Sequence, residues 1–364
     1  MTRILADVGG TRARFAWQPQ SGEALRCITT VECASYAGPE EALAAWLAHH
    51  RLGPPVEAAI ALATPLSGED ELRMTNGLWR FSRRRLAARL GLQRLEFVND
   101  FTALAMALPA LEPTELRRIG GRVTNPFAQR QVVGLLGPGT GLGVSGLLPG
   151  PQGSWIAIAG EGGHVSLPSN DPLEDAVLQI LRARFGHVSA ERVLSGEGLR
   201  NLWGALQALE LNPHAPELNP NAHELNPHAP ELNPHALELN PQVVLEEVPS
   251  ATQISELALR ERHPLACRVL EVFCGLLGQI AGNLALTLGA SGGIYIGGGI
   301  VPQWGTMLER SRLRTCFEAK GRFRTYLEAI PLWVIDASEP PALRGAARLL
   351  DERRTCPLAA DPAW

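Results

Sequence analysis

One short pattern occurs twice in this chain, and it restricts the fold more than any other feature. Leu5-Ala6-Asp7-Val8-Gly9-Gly10-Thr11 is an apolar run that breaks on two glycines and a threonine, after which Ala13, Phe15 and Trp17 alternate. The pattern returns when Val132, Val133, Leu135 and Leu136 lead into Gly137-Pro138-Gly139-Thr140-Gly141, with Leu142, Val144 and Leu147 beyond. Each copy reads as strand, tight turn, strand. A unit used twice predicts two similar halves with a cleft between them.

The turns are suited to phosphate. Glycine lets backbone N–H groups approach an anion closely, and a threonine hydroxyl adds a donor. Two such turns facing one cleft predict a nucleotide held between the halves. Asp7 precedes the first turn, where a carboxylate can hold magnesium directly or through water. Taken alone, Asp-x-Gly-Gly-Thr also fits an ordinary hairpin turn. Gly141, Gly143 and Gly146 match GxGxxG, but no helix pattern opens there, so a Rossmann reading is rejected. Lys320 is the only lysine, which excludes a Walker A loop. A third glycine turn, Gly297-Gly298-Gly299-Ile300, follows the buried strand Ile294-Tyr295-Ile296. Bare backbone there can let a purine ring lie close.

Polar residues with chemistry to offer sit at the ends of other strands. Leu95 to Asn99 reads as a strand, and a helix follows from Thr102 to Leu108. Asn99 and Asp100 therefore stand at a strand-to-helix junction, where α/β proteins often present functional groups. Asp100 is either a proton-accepting carboxylate or the cap of the next helix. Glu161-Gly162-Gly163-His164 follows the strand Trp155 to Ala159. Two glycines argue against a helix, so a metal-binding Glu-x-x-His pair is rejected. As a loop it offers an acceptor and an imidazole to a polyol, and a core histidine is the alternative. Glu191 is either a first-turn acid of its own helix or a ligand for sugar hydroxyls. The polar loop from Met74 to Trp79, with Thr75 and Asn76, is also able to face a ligand.

The chain has 364 residues, enough for two domains. A net charge of -4 without a basic face argues against a nucleic-acid partner. The six cysteines form no CxxC pair and read as reduced thiols of a cytoplasmic protein. The chain enters a strand at once, so no signal peptide is expected. Val272 to Ala290 is apolar but carries Gln279 and Asn283, which fits a buried helix and no membrane partner. Glu-Leu-Asn-Pro recurs every seven residues across 210–241. A proline in each heptad excludes a coiled coil, so an extended, poorly ordered surface insertion is expected, with its histidines solvated. Helices are expected near 39–52, after Ser82, after Asp171, at 252–262, at 265–289 and at 343–350.

In order and spacing, these motifs resemble those of bacterial glucokinases outside the ROK group. The resemblance rests on Asp7 to Thr11, Asn99 to Thr102, Gly139 to Gly143, Glu161 to His164, Ser189 to Gly196 and Gly297 to Pro302. It implies an α/β, two-domain, actin-like ATPase (ribonuclease H-like) fold. The expected division is 1–110 plus about 336–364 as a small domain, and about 111–335 as a large one. The implied activity is phosphorylation of D-glucose at its 6-hydroxyl by ATP with Mg2+. Asp100 would be the base, and Asn99, Asp100, Glu161, His164 and Glu191 would hold the sugar. Ala6, Asp7, Val8, Gly9, Gly10 and Thr11 would line the phosphates with Gly139, Thr140 and Gly141. Gly298 and Gly299 would lie by the adenosine. A homodimer is compatible with the resemblance. A kinase for fructose or mannose, a weakly catalytic sugar sensor, and an actin-type structural ATPase are the competing readings. The family usually has asparagine where this chain has Arg12. That arginine can bind nucleotide, pair with an acid or point away.

Overall fold

In the computed structural model, residues 1–64, 69–74, 77, 79–211 and 248–355 are described. Thr75, Asn76, Cys356 and the proline repeat from 212 onward lie outside them.

The duplicated motif produces a duplicated sheet. β1 (Arg3–Val8) turns into antiparallel β2 (Arg12–Gln18), which pairs with β3 (Arg26–Glu32). On its other side β1 runs parallel to β4 (Glu57–Leu62), and β4 runs parallel to β7 (Arg94–Asn99). Between these last two lies a small hairpin, β5 (Glu71–Arg73) and β6 (Arg80–Ser82), which the sequence reading did not foresee.

The second sheet repeats the plan. β9 (Val133–Pro138) turns into antiparallel β10 (Leu142–Pro149), and β10 pairs with β11 (Trp155–Ala157). β9 then runs parallel to β12 (Ile294–Ile296), and β12 to β13 (Leu332–Ile335). The order β3-β2-β1-β4-β7 thus matches β11-β10-β9-β12-β13, with β8 (Leu116–Ile119) added at the far edge. β10 continues directly from the Gly139–Gly141 turn, so no Rossmann helix forms there.

Helices cover the sheets. α1 (Pro39–His49) and α2 (Arg83–Leu90) accompany the first sheet, and α3 (Asp100–Ala107) follows β7. α4 (Pro172–Phe185), α5 (Gly196–Leu211), α6 (Ala251–Glu256) and α7 (Pro264–Leu288) form the layer of the second sheet. α8 (Met307–Arg310), α9 (Leu313–Glu318) and α10 (Arg324–Ala329) precede β13, and α11 (Pro341–Thr355) ends the described chain. The expected helix at 252–262 is α-helical only to Glu256 and continues as a π-turn, Leu257–Glu261. α7 is long and apolar enough to cross a membrane, but it is largely buried against other elements. Its Gln279 donates Nε2 to the buried Glu174 carboxylate at 2.7 Å, which explains a polar residue in an apolar helix.

β1 buries both faces, as a central strand covered on both sides should. Ile4, Ala6 and Val8 enter one core. Leu5 packs with Ala16 and Ala59 under Leu343, Ala346 and Leu350 of α11. The C-terminal helix is therefore part of the first sheet's cover. Buried Arg3 fixes it there, donating to Glu57 at 3.1 Å and to Asp351 at 2.7 Å. A further core joins the two sheets: Val98, Ala103 and Met106 meet Val133, Leu135 and Tyr295.

Candidate active site

Asp100 stands where the two halves meet. The backbone leaves β7 at Asn99, whose extended φ and ψ end the strand, and turns into α3. The cap of α3 is Asn99: its Oδ1 accepts from Phe101 N at 2.9 Å and from Thr102 N at 3.2 Å. Asp100 Oδ1 also accepts from Phe101 N at 2.9 Å. Capping thus rests chiefly on the neighbour, and the second carboxylate oxygen of Asp100 is left for other chemistry. The next side chain, Phe101, lays its ring against Gly137 and Gly143, where any Cβ would collide with it. This contact holds the start of α3 against the second hairpin.

Burial pushes the Asp100 carboxyl up to about 7, and the nearby Asp7 carboxylate adds to the rise, with Glu161 a smaller contributor. Asp7 lies at the end of β1 and is itself raised, again mainly by burial. Arg14 opposes this by donating to Asp7 Oδ2 at 3.0 Å. The sequence reading overlooked Arg14. The hairpin register was the available signal, because closing the Gly9–Thr11 turn places Arg14 directly across from Asp7.

The first turn is closed by Gly9 N donating to Arg12 O at 2.9 Å, and Thr11 O accepts from Cys33 N at 2.8 Å. Arg12 points along the sheet and pairs with Glu32 on β3 at 2.9 Å, both side chains being exposed. Ala6 and Val8 are buried in β1 and act as framework for the turn. In the second turn Gly139 N donates to Gly141 O at 2.8 Å, and Thr140 is exposed. Gly298 lies against it with φ of 84°, and an added Cβ would strike the Pro138 carbonyl. Only glycine fits that approach. Gly299 adjoins Gly139, its N lying 3.8 Å from where a Gly139 Cβ would stand.

Glu161, His164 and Glu191 are brought together by a short ribbon. Glu191 N donates to Gly163 O at 2.9 Å, and Ala190 N to Val165 O at 2.8 Å. Gly162 to His164 forms a single 3₁₀ turn where a loop was expected. His164 is exposed, which overturns the core-histidine alternative. Glu191 does not cap a helix either, since α5 starts at Gly196. Its Oε2 accepts from Leu142 N at 2.9 Å, so the second turn and this acid are tied together.

Among the described residues, no cluster of three or more His, Cys, Asp or Glu side chains is arranged to hold a metal ion. Asp7 keeps its Oδ1 available to a cation, because Arg14 donates only to Oδ2.

Twin β-sheets of one topology, with glycine turns and convergent carboxylates at their junction, define an actin-like ATPase fold. The Glucokinase family model matches residues 4–353, and the chain belongs to that family. A glucokinase of Aromatoleum aromaticum is 46% identical over 350 residues, covering 96% of this chain and 94% of its own. The bifunctional protein glk of Paraburkholderia xenovorans is 42% identical over 96% of this chain, which spans only 49% of that protein. Among solved structures, a glucokinase from an Antarctic psychrotroph superposes with a TM-score of 0.77 at 29% identity, over 96% of this chain and 98% of its own.

Proposed function

We propose that this protein transfers the γ-phosphoryl group of ATP to the 6-hydroxyl of D-glucose, with Asp100 as general base. The observation that carries the reading is the Asp100 carboxyl, raised to about 7 at the junction of two glycine turns. A base with that pKa is both free and proton-hungry at neutral pH. Asn99, Glu161, His164 and Glu191 hold the sugar; Asn99 Nδ2 is left over from capping, and Glu191 keeps one oxygen beyond the bond to Leu142. The stretches Ala6–Thr11 and Gly139–Gly141 line the phosphates, and Gly298 and Gly299 lie by the adenosine.

The sugar oxygen attacks phosphorus in line while Asp100 takes its proton. Such base assistance contributes about 10²–10⁴-fold. Backbone N–H groups of the turns, and Arg14 beside Asp7, stabilise charge on the phosphoryl oxygens. Mg2+ bound at Asp7 would neutralise phosphate charge. The small unit closes on the large one and excludes water that would otherwise accept the phosphoryl group. The free thiols among the described residues accord with a cytoplasmic enzyme.

The test is ADP release from MgATP, measured with glucose, fructose and mannose on wild type and Asp100→Ala. Release with glucose alone, reduced at least ~100-fold in the mutant, is expected. A folded mutant that keeps more than about a tenth of the rate overturns the role of Asp100. Equal release with fructose or mannose would make the enzyme a kinase of broader hexose range.

A further inference from the structure

We infer that Phe101 is a positioning residue for the transfer step: its ring, seated on Gly137 and Gly143, fixes where Asp100 stands relative to the Gly139–Gly141 turn. The inference rests on the phosphoryl-transfer reading above and adds to it a residue that acts through Asp100.

Gly137 on β9 and Gly143 on β10 are direct cross-strand partners on either side of the second turn. Two opposed glycines leave a bare patch in a sheet, open to close approach by another group. The Phe101 ring fills it. The three atoms nearest to a Cβ on Gly143 all belong to that ring, and a Cβ on Gly137 would lie 2.7 Å from its Cζ. The same Gly137 Cβ would lie 2.7 Å from the Gly297 carbonyl carbon, so the socket borders the third glycine turn as well. Leu104, three residues along α3 and on the same face, would stand 3.0 Å from a Cβ on Gly297. One face of α3 therefore rests on bare backbone next to both turns.

Phe101 also holds the base directly. Its N–H donates to Asn99 Oδ1 and to Asp100 Oδ1, each at 2.9 Å. Ring and N–H belong to one residue, so a displaced ring moves the donor that orients the Asp100 carboxylate. Asp100 follows β7 of the first sheet, whereas the second turn joins two strands of the other sheet. In-line attack depends on their relative placement, and a misplacement of ~1 Å can cost about 100-fold in rate.

The test is a double-mutant cycle on kcat with glucose and MgATP, built from Phe101→Ala and Gly143→Ala, with Phe101→Leu as a milder variant. In Phe101→Ala kcat should fall roughly 10- to 100-fold, and in Phe101→Leu at least about threefold, while KM for MgATP stays within about threefold. Gly143→Ala should cost roughly tenfold or more alone, because its Cβ displaces the ring, but less than about threefold when added to Phe101→Ala, where no ring remains. A folded Phe101→Ala with kcat within about twofold of wild type overturns the role, as do losses that simply multiply in the double variant. If Phe101→Ala does not fold, Phe101→Leu or Gly143→Ala with kcat within about twofold of wild type overturns it equally.

A 13C NMR titration of aspartate-labelled protein follows the Asp100 carboxyl without turnover, its line identified by its loss in Asp100→Asn. Burial is the main cause of its position at about 7, with Asp7 and Glu161 as acidic neighbours. Removing the ring admits water, so the titration should move down in Phe101→Ala. Identical titrations in wild type and Phe101→Ala count against the hold of Phe101 on Asp100. Wild type without sugar-dependent ADP release overturns the phosphoryl-transfer reading and this role with it. Release by wild type with unmoved kcat in the variants overturns this role alone.

Discussion

Asp100 and Asn99 divide two tasks that the sequence left on one residue. An aspartate after a strand is a good helix cap, and nothing in the local sequence says whether it caps or reacts. The structure hands the cap to Asn99 Oδ1. Asp100 is then a carboxylate under pressure from burial and from Asp7, raised to about 7. A base must be unprotonated to act, so kcat/KM for glucose should fall as pH drops through about 7, tenfold for each unit below it. A pH profile that stays flat from 6 to 8 would contradict this. Stability runs the opposite way. The raised native pKa makes the stabilising contribution full below the unfolded value of 3.8 and lost as pH rises through about 7. Asp100→Asn should therefore raise Tm more at pH 8 than at pH 5. The dipeptide was legible because strand ends and helix starts are local. The shift was not, because Asp7 and Glu161 reach Asp100 only through the tertiary fold. Arg12 shows the same limit: the sequence marked it as unusual, and its pairing with Glu32 depends on strands that meet only once the sheet forms.

At the level of elements, helices with strong end signals were read well. Ser82 caps α2 and Gly91 ends it with φ of 67°, and Asp171 caps α4 behind Pro172. Short elements were missed: β3, β5, β6 and β8, and helices α8 to α10. Their runs are three to seven residues and owe their conformation to neighbours, since so short a helix or hairpin is marginal alone. The contact of α11 with α3 was invisible in sequence and is among the tightest in the molecule. A Cβ on Gly345 would run into the Ala103 carbonyl and crowd Ala107 N at 3.0 Å. Gly345→Ala should destabilise the protein by about 1–3 kcal/mol, the usual cost of overpacking. Urea unfolding monitored by circular dichroism would check it. A neutral result would mean that α11 can slide on α3 without loss. The backbone displacement should also disturb Asp100, which opens the same α3, so kcat should fall with stability.

The whole molecule is one plan executed twice, with an insertion carried on the second copy. Loop-closure entropy grows slowly with length. Deleting residues 212–239 should therefore leave glucose phosphorylation within a few-fold of wild type. Loss of activity in a deletion variant with an unchanged Tm would show that the repeat takes part in the reaction. Sequence by itself determined the duplicated strand–turn–strand units, the three glycine turns and the caps of the long helices. These depend on local periodicity, on glycine's lack of a side chain and on hydrogen bonds that span a few residues. Only the tertiary structure decided that β3-β2-β1-β4-β7 matches β11-β10-β9-β12-β13, that α11 packs under Leu5, Ala16 and Ala59, and that Asp7 and Glu161 act on Asp100 while Arg14 pairs with Asp7. Those outcomes come from burying apolar faces against partners far away in the chain, and from charges whose mutual influence exists only once water has been displaced from between them.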